Sequence, residues 1–184
     1  MSLMIQNFIL FQVGWLSCVI GGASSSYHWL GVAVVAAIIA VHLLRSYTII
    51  NEIMLILITT LLGTTWDSAL MGAGLLAFNN GVVFDAIIPF WMVSMWALFA
   101  TTLNVSMQWM KNRYLLAAIF GAIGGPVAYY AGHRLGAVEF SQVSTSLLVV
   151  GAGWAVMMPL LMHLSTRFNG YRETDRNSFE VKTI

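Results

Sequence analysis

The run IMLILITTLLGTTWDSALMGAGLL, residues 53–76, carries a single charged side chain, Asp67. A hydrocarbon layer about 30 Å thick takes about 20 helical residues at 1.5 Å each, so this run is a membrane span with residues to spare. Five more runs of similar character follow from the same rule: Leu3 to Gly22, Trp29 to Leu44, Ala86 to Met107, Tyr114 to Gly132 and Ser144 to Leu164. Their uninterrupted apolar character excludes the alternating pattern of a barrel, which leaves an all-α, polytopic bundle of six transmembrane helices. The third run is too long for one straight crossing. Gly72 and Gly74 predict that Ser68 to Asn80 either breaks the helix or lies at the interface.

Charge divides the 184 residues into two parts. The first 166 hold eight Asp, Glu, Lys and Arg residues, and the last 18 hold seven. The expected domains are therefore a six-helix region, 1–166, and a short charged cytoplasmic tail, 167–184. Arg45, Lys111, Arg113, Arg167, Arg172, Arg176 and Lys182 all fall on one side of the six crossings and only Arg134 on the other, which predicts an N-in, C-in protein with both termini in the cytoplasm. Tyr47, Trp109 and Tyr114 then belong to the inner aromatic belt, and Trp29, Trp66, Trp91, Tyr129 and Tyr130 to the outer one. Residues 3–22 read as a retained helix, because no base precedes them as a signal peptide requires. A net charge of +1 with dispersed bases gives no nucleic-acid surface. The lone Cys18 can form no intrachain disulfide.

Polar residues inside the spans are the candidates for function. Ser94, Ala97, Thr101, Asn104 and Gln108 recur at spacings of three and four and share one face, either for interhelical hydrogen bonds or as the wall of a cavity. Gly121 with Gly125, and Gly132 with Gly136, fit the G-x-x-x-G pattern of close helix packing and would suit a homo-oligomer. Pro126 predicts a packing kink or an unwound binding segment at Gly124 to Tyr129. Asp67 extends a stripe of Thr60 and Thr64 and is either a helix-end carboxylate at the surface or a buried partner for a base, for which Arg134 is the candidate with Glu139 competing. Asp85 has the position of an N-cap for the fourth helix with Pro89 in its first turn, and Ser141 or Ser144 that of a cap for the sixth. Asp67, Asn104, Gln108, Arg134 and Glu139 are thus the expected contacts for a substrate.

His42 and His163 lie toward one face of the membrane and His28 and His133 toward the other, the arrangement that a di-haem cytochrome would need. No other haem feature accompanies them, and no metal site or cofactor is expected. No H-E-x-x-H, G-x-S-x-G, P-loop or dinucleotide fingerprint occurs, so no catalytic residue can be named.

The stretches Trp96-Ala-Leu-Phe-Ala-Thr-Thr-Leu-Asn104, Ser106-Met-Gln-Trp109, Gly121-Ala-Ile-Gly-Gly-Pro-Val-Ala-Tyr129 and Ala131-Gly-His-Arg-Leu-Gly-Ala137 resemble a family of small bacterial inner-membrane proteins catalogued as a domain of unknown function. The resemblance implies a bacterial inner membrane and a multi-helix bundle, and it brings no activity, cofactor or catalytic residue with it. The expected partner is the lipid bilayer, and the expected role is to bind or move a small molecule or a lipid. A membrane-embedded redox or lipid-modifying enzyme and a structural or assembly partner are the alternatives.

Overall fold

A computed structural model describes residues 1–171, with the side chain of His28 excepted. The charged residues from Arg172 to Lys182 lie outside the described residues. Six α-helices follow one another: α1 (Leu3–Gly22), α2 (His28–Arg45), α3 (Ile49–Gly72), α4 (Phe90–Leu103), α5 (Tyr114–Arg134) and α6 (Val143–Arg167). Four of them, α1, α3, α5 and α6, are long and apolar enough to cross a membrane, and the apolar helices Trp29–Arg45 and α4 are shorter.

The shortest helix lies at the centre. α4 packs against α1, α2, α3 and α6, whereas α5 lies mainly along α6. A short helix is tolerable there because its unpaired ends meet protein rather than lipid. α4 begins after Pro89, whose missing N–H is harmless at a helix start. Asp85, expected as the cap, lies in an exposed loop. α4 stops at Leu103, and Gln108 opens a separate 3-10 turn, Gln108–Met110, so it leaves the face that its spacing predicted.

α3 and α5 end alike. In each, a glycine of positive φ, Gly74 (70°) or Gly136 (82°), turns the chain out of the helix. Gly74 N–H bonds to the Met71 carbonyl and Leu75 N–H to that of Leu70; Gly136 and Ala137 do the same with His133 and Gly132. These are Schellman caps, which satisfy the last carbonyls of a helix. Gly136 is therefore a helix stop rather than part of a packing motif. Strands β1 (Leu76–Ala77) and β2 (Glu139–Phe140) follow the two caps and pair antiparallel, Leu76 with Phe140 and Ala77 with Glu139. Ser141, expected as a cap of α6, instead donates to the Gly74 carbonyl, and Gln142 takes the cap position.

α5 runs unbroken through Pro126, so no unwound segment forms there. Gly151 of α6 lies against Pro126 and the Ala122 carbonyl, and a methyl group at that position would crowd both at 3.1 Å. Gly121 and Gly125 face Trp154 and Met158 of α6. Gly121 and Gly125 thus let α5 pack closely on α6.

Candidate functional site

Asp67 is fully buried in the middle of the bundle, and its partners are not bases. Trp96 Nε1 of α4 donates to Oδ2 at 2.7 Å, and the Tyr129 hydroxyl of α5 donates to Oδ1 at 2.5 Å. Arg134 is exposed and takes no part, which corrects the expected Asp67–Arg134 pair. The carboxyl is held by two neutral donors, one on each oxygen, as a buried polar group requires.

The reach of Trp96 depends on a glycine. Gly63, one turn before Asp67 on the same face of α3, has no side chain where the Trp96 indole lies. α5 repeats this layout: Gly125 leaves room for the Trp154 indole, and Tyr129 follows one turn later. Gly63, Asp67 and Gly74 of α3 recur as Gly125, Tyr129 and Gly136 of α5 at the same mutual spacing. Trp96 and Trp154 stack on each other at 5.0 Å and 14°, and Phe99 meets Trp154 edge-on at 5.2 Å. The α3–α4 and α5–α6 hairpins thus meet through equivalent residues. Replacing Tyr129 by Phe removes the hydrogen bond from α5 to Asp67. We expect a loss of about 1–3 kcal/mol, the range for leaving a buried acceptor without its donor. Thermal exposure of the buried, single thiol of Cys18 to a maleimide dye would read it.

On the other side of this junction lies an elongated cavity of about 350 Å³ between α1, α4 and α5. Its α1 wall runs from Phe8 to Val19, about 16 Å of helix. Trp91, Trp96, Phe99 and Trp154 form much of its back, and Gly121, Gly124 and Gly125 make a flat side along α5. α1 packs mainly on α2 and α4, and α5 mainly on α6, so the slot lies between two helices with little direct contact. Apolar and aromatic walls with few polar groups, at this volume, are the ordinary make-up of a small-molecule site.

A second polar cluster ties together the end of the bundle that carries Arg45, Lys111 and Arg167. Glu52 is fully buried and receives three hydrogen bonds: His42 Nε2 at 2.8 Å, Asn104 Nδ2 at 2.7 Å and the Gly170 backbone N–H at 2.7 Å. Asn104 also donates to the Phe168 carbonyl at 2.8 Å and accepts from Lys111 Nζ at 2.7 Å. The Tyr171 hydroxyl donates to the His42 carbonyl at 2.5 Å. Burial, reinforced by the Glu52 carboxylate, pushes the Tyr171 phenol above its usual range, so it remains a donor. Residues 168–171 therefore lie on the ends of α2, α3 and α4.

The expected contact residues are distributed over three places. Asp67 supports the back wall of the slot through Trp96 and Tyr129. Asn104 belongs to the Glu52 cluster with its amide fully used, and Gln108 is half-buried nearby in the 3-10 turn. Arg134 and Glu139 are exposed at the opposite end, where Glu139 accepts from Asn79 at 2.8 Å. The histidines have separate partners: His42 has Glu52, His163 has the Tyr114 hydroxyl at 3.2 Å, and His133 has the Val138 carbonyl at 2.9 Å. The fourth, His28, has its side chain outside the described part.

Glu52 and Gln12 were missed by reasoning from the sequence. Glu52 stands close enough to the start of an apolar run to pass for a boundary residue, and only the return of Gly170 buries it. Gln12 interrupts the apolar pattern at the middle of the first span, and that interruption is a legible signal.

The family of proteins of unknown function DUF2878 matches residues 4–160. The chain belongs to this family. Neither a curated protein nor a solved structure matches it. DUF2878 brings no assigned activity, so function has to be argued from the slot and its walls.

Proposed function

We propose that this DUF2878 protein crosses a bacterial inner membrane six times, with both termini in the cytoplasm, and binds the apolar chain of a lipid in the lateral slot between α1 and α5. The observation that carries the binding reading is the slot itself. It extends along α1 from Phe8 to Val19, has walls of aromatic, Met and Gly residues, and lies between α1 and α5, two of the helices long and apolar enough to meet lipid. A compact polar ligand would meet little there to hydrogen-bond, whereas an extended hydrocarbon chain matches both shape and chemistry. The crossing and orientation reading is supported by the Glu52 cluster, which gathers the ends of α2, α4 and α6 with their bases at one end of the bundle.

Gly124 offers a direct test. It lines the slot, and a Cβ there would meet only Phe120, at 3.8 Å, so a larger side chain enters the slot rather than the packed interior. Gly124→Phe is expected to remove lipid that co-purifies with the wild-type protein, as read by native mass spectrometry from mild detergent. Its Cys18 unfolding midpoint should not fall, because glycine inside a helix costs about 0.5–1 kcal/mol relative to alanine. Equal lipid occupancy in both proteins, or none in the wild type, would overturn the reading.

A further inference from the structure

The slot is lined by one side-chain amide, and the protein does not satisfy it; the Trp154 indole N–H, which also lines the slot, is likewise without a hydrogen-bond partner among the described residues. α1 carries Gln6, Asn7, Gln12, Trp15, Ser17 and Cys18 as its polar side chains, and the Trp15 indole N–H also has no hydrogen-bond partner among the described residues. Gln6 donates to the Met1 carbonyl and Asn7 to the Thr101 carbonyl; Ser17 donates to the Val13 carbonyl, and Cys18 meets the Ser94 hydroxyl. Gln12 has no hydrogen-bond partner among the described residues. It is exposed, it lines the slot, and it stands at the midpoint of α1 between Phe8, Phe11 and Trp15, which line the same wall.

An amide at that place is costly without a partner. In hydrocarbon no water is present to bond with it, and the slot walls around Gln12 are apolar. An apolar side chain would serve a plain hydrocarbon chain better. We propose that Gln12 is a specificity residue: its amide N–H₂ donates to an oxygen carried part-way along the bound chain, so the preferred occupant is a neutral chain molecule with an oxygen acceptor near its middle. This rests on the slot reading above and adds the chemistry of the occupant to it. The position follows from geometry, because Gln12 lies midway along a wall that runs from Phe8 to Val19. A site that offers a hydrogen-bonding group discriminates against an analogue that leaves it unpaired.

The test is displacement of cis-parinaric acid, a fluorescent chain, from the full-length protein in dodecyl maltoside by methyl stearate or by methyl 10-oxostearate. These two esters differ only in the mid-chain carbonyl. The wild type should prefer the oxo ester by about five- to tenfold, the worth of one neutral hydrogen bond. Gln12→Leu should bind both esters alike, with the methyl stearate affinity retained and the Cys18 unfolding midpoint unchanged. Equal affinity for the two esters in the wild type, or a preference that survives in Gln12→Leu, would overturn the assignment and leave the slot reading standing. So would a wild-type dimer by light scattering that Gln12→Leu converts to a monomer, since Gln12 would then pair with its copy. Failure of every chain probe to bind the wild type would overturn the slot reading and this assignment together, and Gly124→Phe separates that case from the others.

Discussion

Glu52→Leu is expected to lower the stability of this protein by about 3–5 kcal/mol, the range for removing one member of a buried charged cluster. Three donors converge on the carboxyl, from His42, Asn104 and the Gly170 backbone. Leucine is close to glutamate in volume, so the loss is one of hydrogen bonds rather than of packing. Donors left buried without an acceptor each cost about 1–3 kcal/mol, more than the net worth of an ordinary hydrogen bond. Glu52→Gln keeps one acceptor oxygen and should lie between the two. The unfolding midpoint read through Cys18 gives the total. Hydrogen exchange at the Gly170 amide gives the local part, since that N–H loses its acceptor and residues 168–171 lose a tether to α3. A midpoint for Glu52→Leu equal to the wild type would contradict the cluster.

Gly63→Leu is expected to be comparably damaging for a different reason. A Cβ at Gly63 would overlap the Trp96 ring and push it from its place. The ring stacks on Trp154 and donates to Asp67, so displacing it breaks both contacts. Forcing extra methylenes into a packed interior costs about 1–3 kcal/mol, and loss of a hydrogen bond to a buried carboxyl adds about 1.5–3. Alanine makes the comparison sharper. Gly63→Ala and Gly124→Ala gain the same helix propensity, about 0.5–1 kcal/mol. Gly63→Ala should nevertheless lower the unfolding midpoint, while Gly124→Ala should raise it, because one Cβ overlaps an indole and the other meets only Phe120 at ordinary contact distance. Shifts of the same sign in both would show that propensity, and not the Trp96 contact, governs α3.

Much of the candidate site was out of reach from the sequence. The polar stripe on α4 predicted that Thr101 and Asn104 face inward, and both are buried. The same stripe could not indicate that Asn104 is consumed by Glu52 and the Phe168 carbonyl, since that depends on how α3 and the returning residues 168–171 pack against it. Asp67 stood out as an acid within a span, and a base was the natural partner to expect. Two neutral donors hold it instead. In an apolar interior, a Tyr hydroxyl and an indole N–H satisfy both carboxyl oxygens without the desolvation cost of burying a second charge. The equivalent glycines of α3 and α5 were visible as spacings, but their meaning rests on which indole fills each gap.

The sequence by itself determined that this chain is helical and apolar, where its four long helices run and which ends carry the bases, but not that α4 would be cut to Phe90–Leu103. Those are properties of length, periodicity and composition, set by the need to satisfy the backbone within each segment. The tertiary structure decided which polar residues are spent on holding the fold and which remain free. Asp67, Asn104, Glu52 and His42 bond inside the protein, Arg134 and Glu139 turn outward, and the Gln12 amide faces the slot without a partner among the described residues. Side-chain identity states what a residue is able to bond, and only the packing of distant helices determines whether that bond is made within the chain.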